Sequence, residues 1–380
     1  DLVGCRNVRV DRLHVSGGHD DALALKSDYS CGRVLESRDI VIENSFLSSE
    51  KCNALQIGSE TNGPFTDILW KNLTIGAAGK AGIGVVAMDG SDISNVTYRD
   101  IIMENVTTPL HLYIGARFGR HPGPAMVGSI SDLLLERVTA RKVVGFHGSW
   151  ASTMDGHPPN ATASQATQPV GPGIVLRDVA IEMPGGLPPA AVWNNPPHAE
   201  DQYDPRALGT RPGWGLFLRN VVGVSTRNCS LSLADRGDRA AEGRPAVAVV
   251  DACEDVDLDA IVVQRGGKAA QYDVGLSGKC AGVDHTDLVV QRIPPAPPPS
   301  PAPCSVSLLA QTSQASCVAG LSFGCDDQLN RSNAETPGRE VWTKEGCAGR
   351  FVCGTQAVVC PEPYHGRPSP RCPCEVCNPC

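Results

Sequence analysis

No run of 18 or more apolar residues occurs in the 380-residue sequence, which excludes a hydrophobic helix long enough to span a bilayer. A basic run is missing too. The formal charge of −8 is spread along the chain, whereas nucleic-acid binding needs a clustered positive footprint. Aromatic residues make up only 5% of the chain, and long helical periodicities are lacking. No secretory leader is visible either. Asp1 opens directly into strand-like sequence, so the sequence reads as a fragment or a processed form.

What is plentiful is glycine (40), proline (30) and cysteine (16). The first two favour short strands and many turns over long helices. Six cysteines (Cys5, Cys31, Cys52, Cys229, Cys253, Cys280) are scattered over the first 290 residues, and the other ten crowd between Cys304 and Cys380. That density reads as a disulfide framework and hence as an extracellular chain. Six N-x-[ST] sequons, at Asn72, Asn95, Asn105, Asn160, Asn228 and Asn330, agree with a secretory route.

The first 290 residues repeat a phrase: Asn or Asp, then alternating aliphatic and polar positions. It reads NVRVDRLHV from Asn7, DIVIENSFL from Asp39, DILWKNLTI from Asp67, NVTYRDIIM from Asn95 and DLLLERVTA from Asp132. Weaker copies start at Val175 and Asp255. Each phrase alternates as a strand does, with a turn residue at its head. One such unit cannot bury its own apolar face, but stacked copies can. The expected architecture is all-β, a parallel β-helix with short strands stacked layer on layer. Leucine-rich repeats are the competitor, and their L-x-x-L-x-L spacing is absent.

Between Gly148 and Gly213 long Pro-rich and polar stretches break the phrase; loops of that length are expected to be functional and to wall a groove. IPPAPPPSPAP, residues 293–303, reads as a polyproline II spacer like those of plant and green-algal wall proteins. The expected organisation is therefore a β-helix domain over 1–292, a linker over 293–303 and a small disulfide-rich module over 304–380. The closing Cys372, Cys374, Cys377 and Cys380 have zinc-like spacing. With six more cysteines nearby and no histidine pair, disulfides are the expectation.

The sharpest chemical signal is GGHDDALALKSD, Gly17 to Asp28. Asp20 and Asp21 stand together before a strand. Glycoside hydrolysis needs one carboxylic acid to protonate the leaving oxygen and one carboxylate to activate water, and close carboxylates push their pKa values apart. A lone Asp-Asp is otherwise an ordinary turn. Here the segment resembles the Gly-Asp-Asp-x-Ile-Ala-Leu-Lys-Ser signature of glycoside hydrolase family 28, the polygalacturonases and rhamnogalacturonases, and the resemblance extends over residues 1–290. SEKCNALQIGSET from Ser49 stands where that family carries Gly-His-Gly-x-x-Ile-Gly-Ser, and AGKAGIGVVAMDG from Ala78 where it carries Arg-x-Lys. The resemblance implies a right-handed pectinase-like β-helix, with Asp20 as general acid and Asp21 as part of the water-activating base.

The sequence departs from that pattern in several places, one of them an extra residue near His19 between Cys5 and the Asp pair. Asn53 replaces the family's histidine. Gly84 and Val86 replace the Arg and Lys that grip the substrate carboxylate, and the Asp of the family's Asn-Thr-Asp run would lie upstream of Asp1. A divergent branch follows, whose substrate-binding wall is expected to comprise Lys26, Asn53, Glu60, Lys80 and Asp89. His111, Tyr113 and Arg117 are expected to be structural. Trp150 and Trp193 in the long loops are candidate sugar platforms or loop anchors.

The resulting expectation is a secreted, monomeric, cell-wall glycosidase that inverts as it hydrolyses pectin-type polysaccharide, with no metal or organic cofactor. A pectate lyase would need clustered calcium-binding carboxylates and an Arg base, and no segment supplies them. The alternative is a catalytically inactive carbohydrate-binding or structural wall protein on the same fold.

Overall fold

The computed structural model describes residues 1–29, 32–117, 126–145, 151–159, 167–186, 196–234, 243–259, 261–264 and 273–292. Beyond these it describes the backbone of 306–311, 323–327, 339–343, 349–353, 356–360 and 371–374. The proline-rich linker, Cys31, Trp150 and Trp193 lie outside the described residues, as do Cys377 and Cys380. Every element among the described residues is a strand, and none is a helix. Among the described residues no helix is long and apolar enough to cross a membrane.

The chain divides into two units, residues 1–296 and 297–380. In the first, the described strands pair in parallel and connect each layer to the next, the isolated His157–Gln168 bridge alone being antiparallel among the described pairings. The register is in phase with the repeated phrase. Val8 pairs with Ile40, Ile40 with Ile68, and Ile68 with Val96. The same file continues through Leu133, Ile174, Val224, Val256 and Val283. A second file runs Leu25, Ile57, Val85, Leu112, Met154, Leu218, Val249 and Leu276. These aliphatic files meet in one continuous core. Like side chains thus stack on like at the ~4.8 Å strand spacing, in keeping with the close packing of protein interiors. Trp70 and Tyr98 stack in the same way, with ring centroids 5.8 Å apart.

The Asn or Asp at the head of each phrase has a physical reason. Asn7, Asp39, Asp67, Asn95 and Asp132 all sit at positive φ, between 48° and 57°. Asn and Asp tolerate this left-handed conformation better than other side chains with a Cβ. Each layer has a second left-handed corner five residues on, at Arg12, Asn44, Asn72, Asp100 and Arg137. The sequence reading did not anticipate this corner, because its residue type varies. Amide ladders bind corner to corner: Asn72 Nδ2 donates to Asn44 Oδ1 at 2.7 Å, and Asn44 Nδ2 to Asp11 Oδ1 at 2.8 Å.

The second unit contains two three-stranded antiparallel sheets. One comprises Val306–Gln311, Gly349–Cys353 and Gln356–Cys360; the other Phe323–Asp327, Arg339–Thr343 and Arg371–Cys374.

Candidate functional site

Asp20 and Asp21 stand just ahead of strand Leu23–Ser27, whose inward residues Leu23 and Leu25 anchor the lip on the core. The next layer, strand Leu55–Thr61, places Asn53 level with Asp21: Ala22 N–H donates to Asn53 O at 2.9 Å. Asn53 is buried, with both ends of its amide engaged. Its Nδ2 donates to Asp21 Oδ1 at 2.8 Å, its backbone N–H donates to the same oxygen at 2.9 Å, and its Oδ1 accepts from Ala81 N–H at 3.0 Å. Expected as a substrate contact, Asn53 instead holds one catalytic candidate across three layers.

The two carboxylates have different surroundings. Asp20 is exposed, and its Oδ1 accepts Asp21 N–H at 2.8 Å. Asp21 is half-buried; burial raises its pKa, and the two Asn53 hydrogen bonds only partly offset the rise. Cys52 completes the group, its Sγ and one oxygen from each aspartate lying within 4.8 Å of one another. Burial pushes the Cys52 thiol up, against the pull of Lys80. Lys80 has a side chain 12% exposed. Burial disfavours its charge, but Tyr203, Cys52, Asp204 and Asp21 outweigh that and hold its pKa above the ordinary value. A metal cation at the Asp20–Asp21–Cys52 group would face this ammonium, so the donor set does not favour one.

The remaining expected wall residues are elsewhere. Five residues beyond Asp21, or about 16 Å along an extended strand, Lys26 bridges Asp1 Oδ2 at 2.9 Å and Glu60 Oε2 at 3.2 Å. Burial raises the pKa of Glu60, but Lys26 and Arg117 bring it below its usual value. Asp89 is buried and bidentate to Arg117, at 3.0 Å to Nε and 2.6 Å to Nη2, and accepts Thr61 N–H at 2.9 Å. Asp89 is thus part of an internal ion pair and presents no carboxylate to solvent. The seven expected site residues fall into two groups: Asp20, Asp21, Asn53 and Lys80 together, and Lys26, Glu60 and Asp89 together.

A segment that the phrase pattern left as loop, residues 196–211, supplies residues the sequence reading missed. Tyr203 lies between the two groups, its ring centroid 5.1 Å from Lys80 Nζ and 5.9 Å from Arg117 Cζ. Asp204 Oδ2 is 3.8 Å from Lys80 and 2.6 Å from Arg206. The loop is fixed to the sheet by buried polar contacts. His111 Nε2 donates to Tyr203 O at 3.0 Å, and the Tyr113 hydroxyl donates to Ala199 O at 2.7 Å. Arg219 donates to Pro196 O, and Leu208 packs on Val86, Met88 and Tyr113. Beneath it Asp155 is bidentate to Arg219, which overrides burial and lowers the Asp155 pKa to about 2. His111, Tyr113 and Arg117 are therefore structural, as expected. The only sequence signal for this contribution was the interruption of the repeat.

Gly84 and Val86 are enclosed by different neighbours. A Cβ on Gly84 would come within 2.0 Å of Gln56 Oε1, and Val86 is sealed against Leu208. The described cysteines of the first unit, Cys5, Cys52, Cys229, Cys253 and Cys280, carry thiols.

Neither a scan against protein-family models nor a search of curated proteins finds a match for this chain.

Proposed function

We propose that residues 1–292 form a right-handed parallel β-helix and act as a polygalacturonase-like glycoside hydrolase on pectin-type polysaccharide outside the cell. The observation that carries this reading is the unequal aspartate pair, Asp20 exposed and Asp21 half-buried with raised proton affinity. Two carboxyl groups with separated affinities are what acid and base catalysis of glycosidic cleavage require. Asp21 protonates the glycosidic oxygen as the bond to the anomeric carbon breaks, and Asp20 takes a proton from the water that attacks that carbon. This assignment reverses the roles implied by the family resemblance. Lys80 and Tyr203 serve as the sugar-binding side of the site, the ammonium for an acidic or hydroxyl group and the ring for a pyranose face.

The inverting course needs room for water. Carboxyl groups in inverting enzymes stand roughly 6.5–9.5 Å apart, whereas oxygens of this pair approach within 4.8 Å. Asp20 is held to Asp21 only through the neighbouring N–H, so rotation of its exposed side chain on substrate binding opens the gap.

A carbohydrate-binding protein without turnover is the second reading. It is favoured by the mutual neutralisation of Lys26, Glu60, Asp89 and Arg117, which leaves a smaller polar wall for catalysis.

The test is reducing-sugar release from polygalacturonan and rhamnogalacturonan. Asp21→Asn and Asp20→Asn should each lower it by about 10²- to 10⁴-fold. Wild-type release should fall as pH rises through the elevated Asp21 pKa. Release unchanged in both variants rejects the mechanism, and polymer binding without release supports the second reading. The anomer formed first, read by NMR, separates inversion from retention.

A further inference from the structure

We propose that Cys253 and Cys280 form a disulfide that ties two successive layers of the first unit together. The two residues are directly opposite in register, on strands Ala252–Asp257 and Lys279–Asp284. Neighbouring strands lie ~4.8 Å apart, inside the ~4.4–6.8 Å Cα separation that disulfides span. The two side chains leave the backbone alike. Each cysteine follows a left-handed corner by two residues, Asp251 (φ 67°) for one and Gly278 (φ 76°) for the other. Each Sγ donates to the carbonyl three residues back, Cys253 to Val250 O at 3.0 Å and Cys280 to Ser277 O at 3.3 Å. The thiols therefore stack one above the other.

The other described cysteines lack this relation. Cys229 is paired with Ile261, and Cys52 O accepts the N–H of Lys80 from the adjoining layer. Chance placement of a cysteine at the same corner of consecutive layers explains Cys253 and Cys280 less well than a covalent tie.

Their exposures set the order of reaction. Cys253 is 3% exposed, while Cys280 is half-buried. The neighbouring Cys280 and burial both push the Cys253 thiol up, so Cys253 is a slow first nucleophile. With a soluble disulfide such as oxidised glutathione, the Cys280 thiolate attacks one sulfur and expels one glutathione thiolate. The Cys253 thiolate then attacks the mixed disulfide at Cys280 and expels the glutathionyl group as the second thiolate. Two electrons pass to glutathione, and the two thiol protons go to solvent.

The experiment uses the full chain, reduced, refolded and exposed under native conditions to oxidised glutathione, then alkylated and digested with trypsin. Cleavage at Arg265 and Lys279 places the two cysteines on different peptides. The expected result is a linked pair, two hydrogens lighter than the separate peptides, that falls apart on reduction. In Cys280→Ser the same treatment should leave Cys253 as a thiol that alkylates only after denaturation. Recovery of both residues alkylated from the wild-type chain overturns the proposal. So does Cys253 joined to any other cysteine.

Discussion

His111 illustrates how one buried side chain makes a whole segment sensitive to acid. Burial first, and Arg211 second, lower its pKa to about 3, far under the ~6.5 of an unfolded chain. Between those values the unfolded state binds the extra proton. The stabilisation is therefore complete above pH 6.5 and is lost as pH falls toward 3, at no more than about 1.4 kcal/mol per pH unit. His157, also lowered by burial, adds to the same trend. His111→Phe keeps a flat ring against Tyr113 but cannot be protonated. Its melting temperature should fall less steeply than wild type between pH 6.5 and 4 in calorimetry. Parallel slopes would show that the histidine does not govern acid unfolding. Asp20 and Asp21 stood out in the sequence through the resemblance carried by the residues around them, since a lone Asp-Asp is an ordinary turn. The sequence did not show that Asn53 and Asp89 point inward, because their burial is decided by Asp21 and Arg117, contacts 32 and 28 residues away.

At the level of the element, the corner residues carry the repeat. Asp67 at φ 57° also accepts Asn95 Nδ2 at 2.5 Å. Replacing it with Gly or with Val removes that carboxylate in both cases, so the difference between the two variants isolates the backbone. Asp67→Val should be less stable than Asp67→Gly by about 1 kcal/mol or more, because a β-branched residue resists the left-handed region. Equal denaturant midpoints would show that the corner relaxes freely. The same corners account for the uneven legibility of the repeat. In the first five layers the first corner is Asn or Asp and the phrase stands out in the sequence. Gly173 (φ 80°), Gly223 (φ 59°) and Gly282 (φ 61°) occupy left-handed positions in the later layers, and there the phrase fades although the strand pairing continues. A glycine carries the turn without leaving the polar mark that the eye follows.

For the molecule as a whole, the parallel pairing and the core files lie within residues 1–296. That unit expressed alone should give a strand-type circular dichroism spectrum and a cooperative melt within a few degrees of the same transition in the full chain. A non-cooperative melt would mean that residues 297–380 are required for its folding. The all-β class followed from strand alternation and a scarcity of helical periodicity. The seating of residues 196–211 on the sheet did not, since His111, Tyr113 and Arg219 are brought beneath the loop only by stacking of separate layers.

One property of the stacking reaches beyond this site. Ile40, Ile68 and Val96 follow one another at intervals of 28 residues, whereas Leu133, Ile174 and Val224 are spaced more widely, yet all occupy one file in unbroken register. Contour length between layers is thus uncoupled from position within them, provided that an insertion begins and ends at a corner. Such a scaffold can gain or lose an entire excursion in one genetic event while the rungs on either side keep their partners. Residues 196–211 are an excursion of this kind: lengthening the path between two rungs delivers Tyr203 and Asp204 beside Lys80 on another.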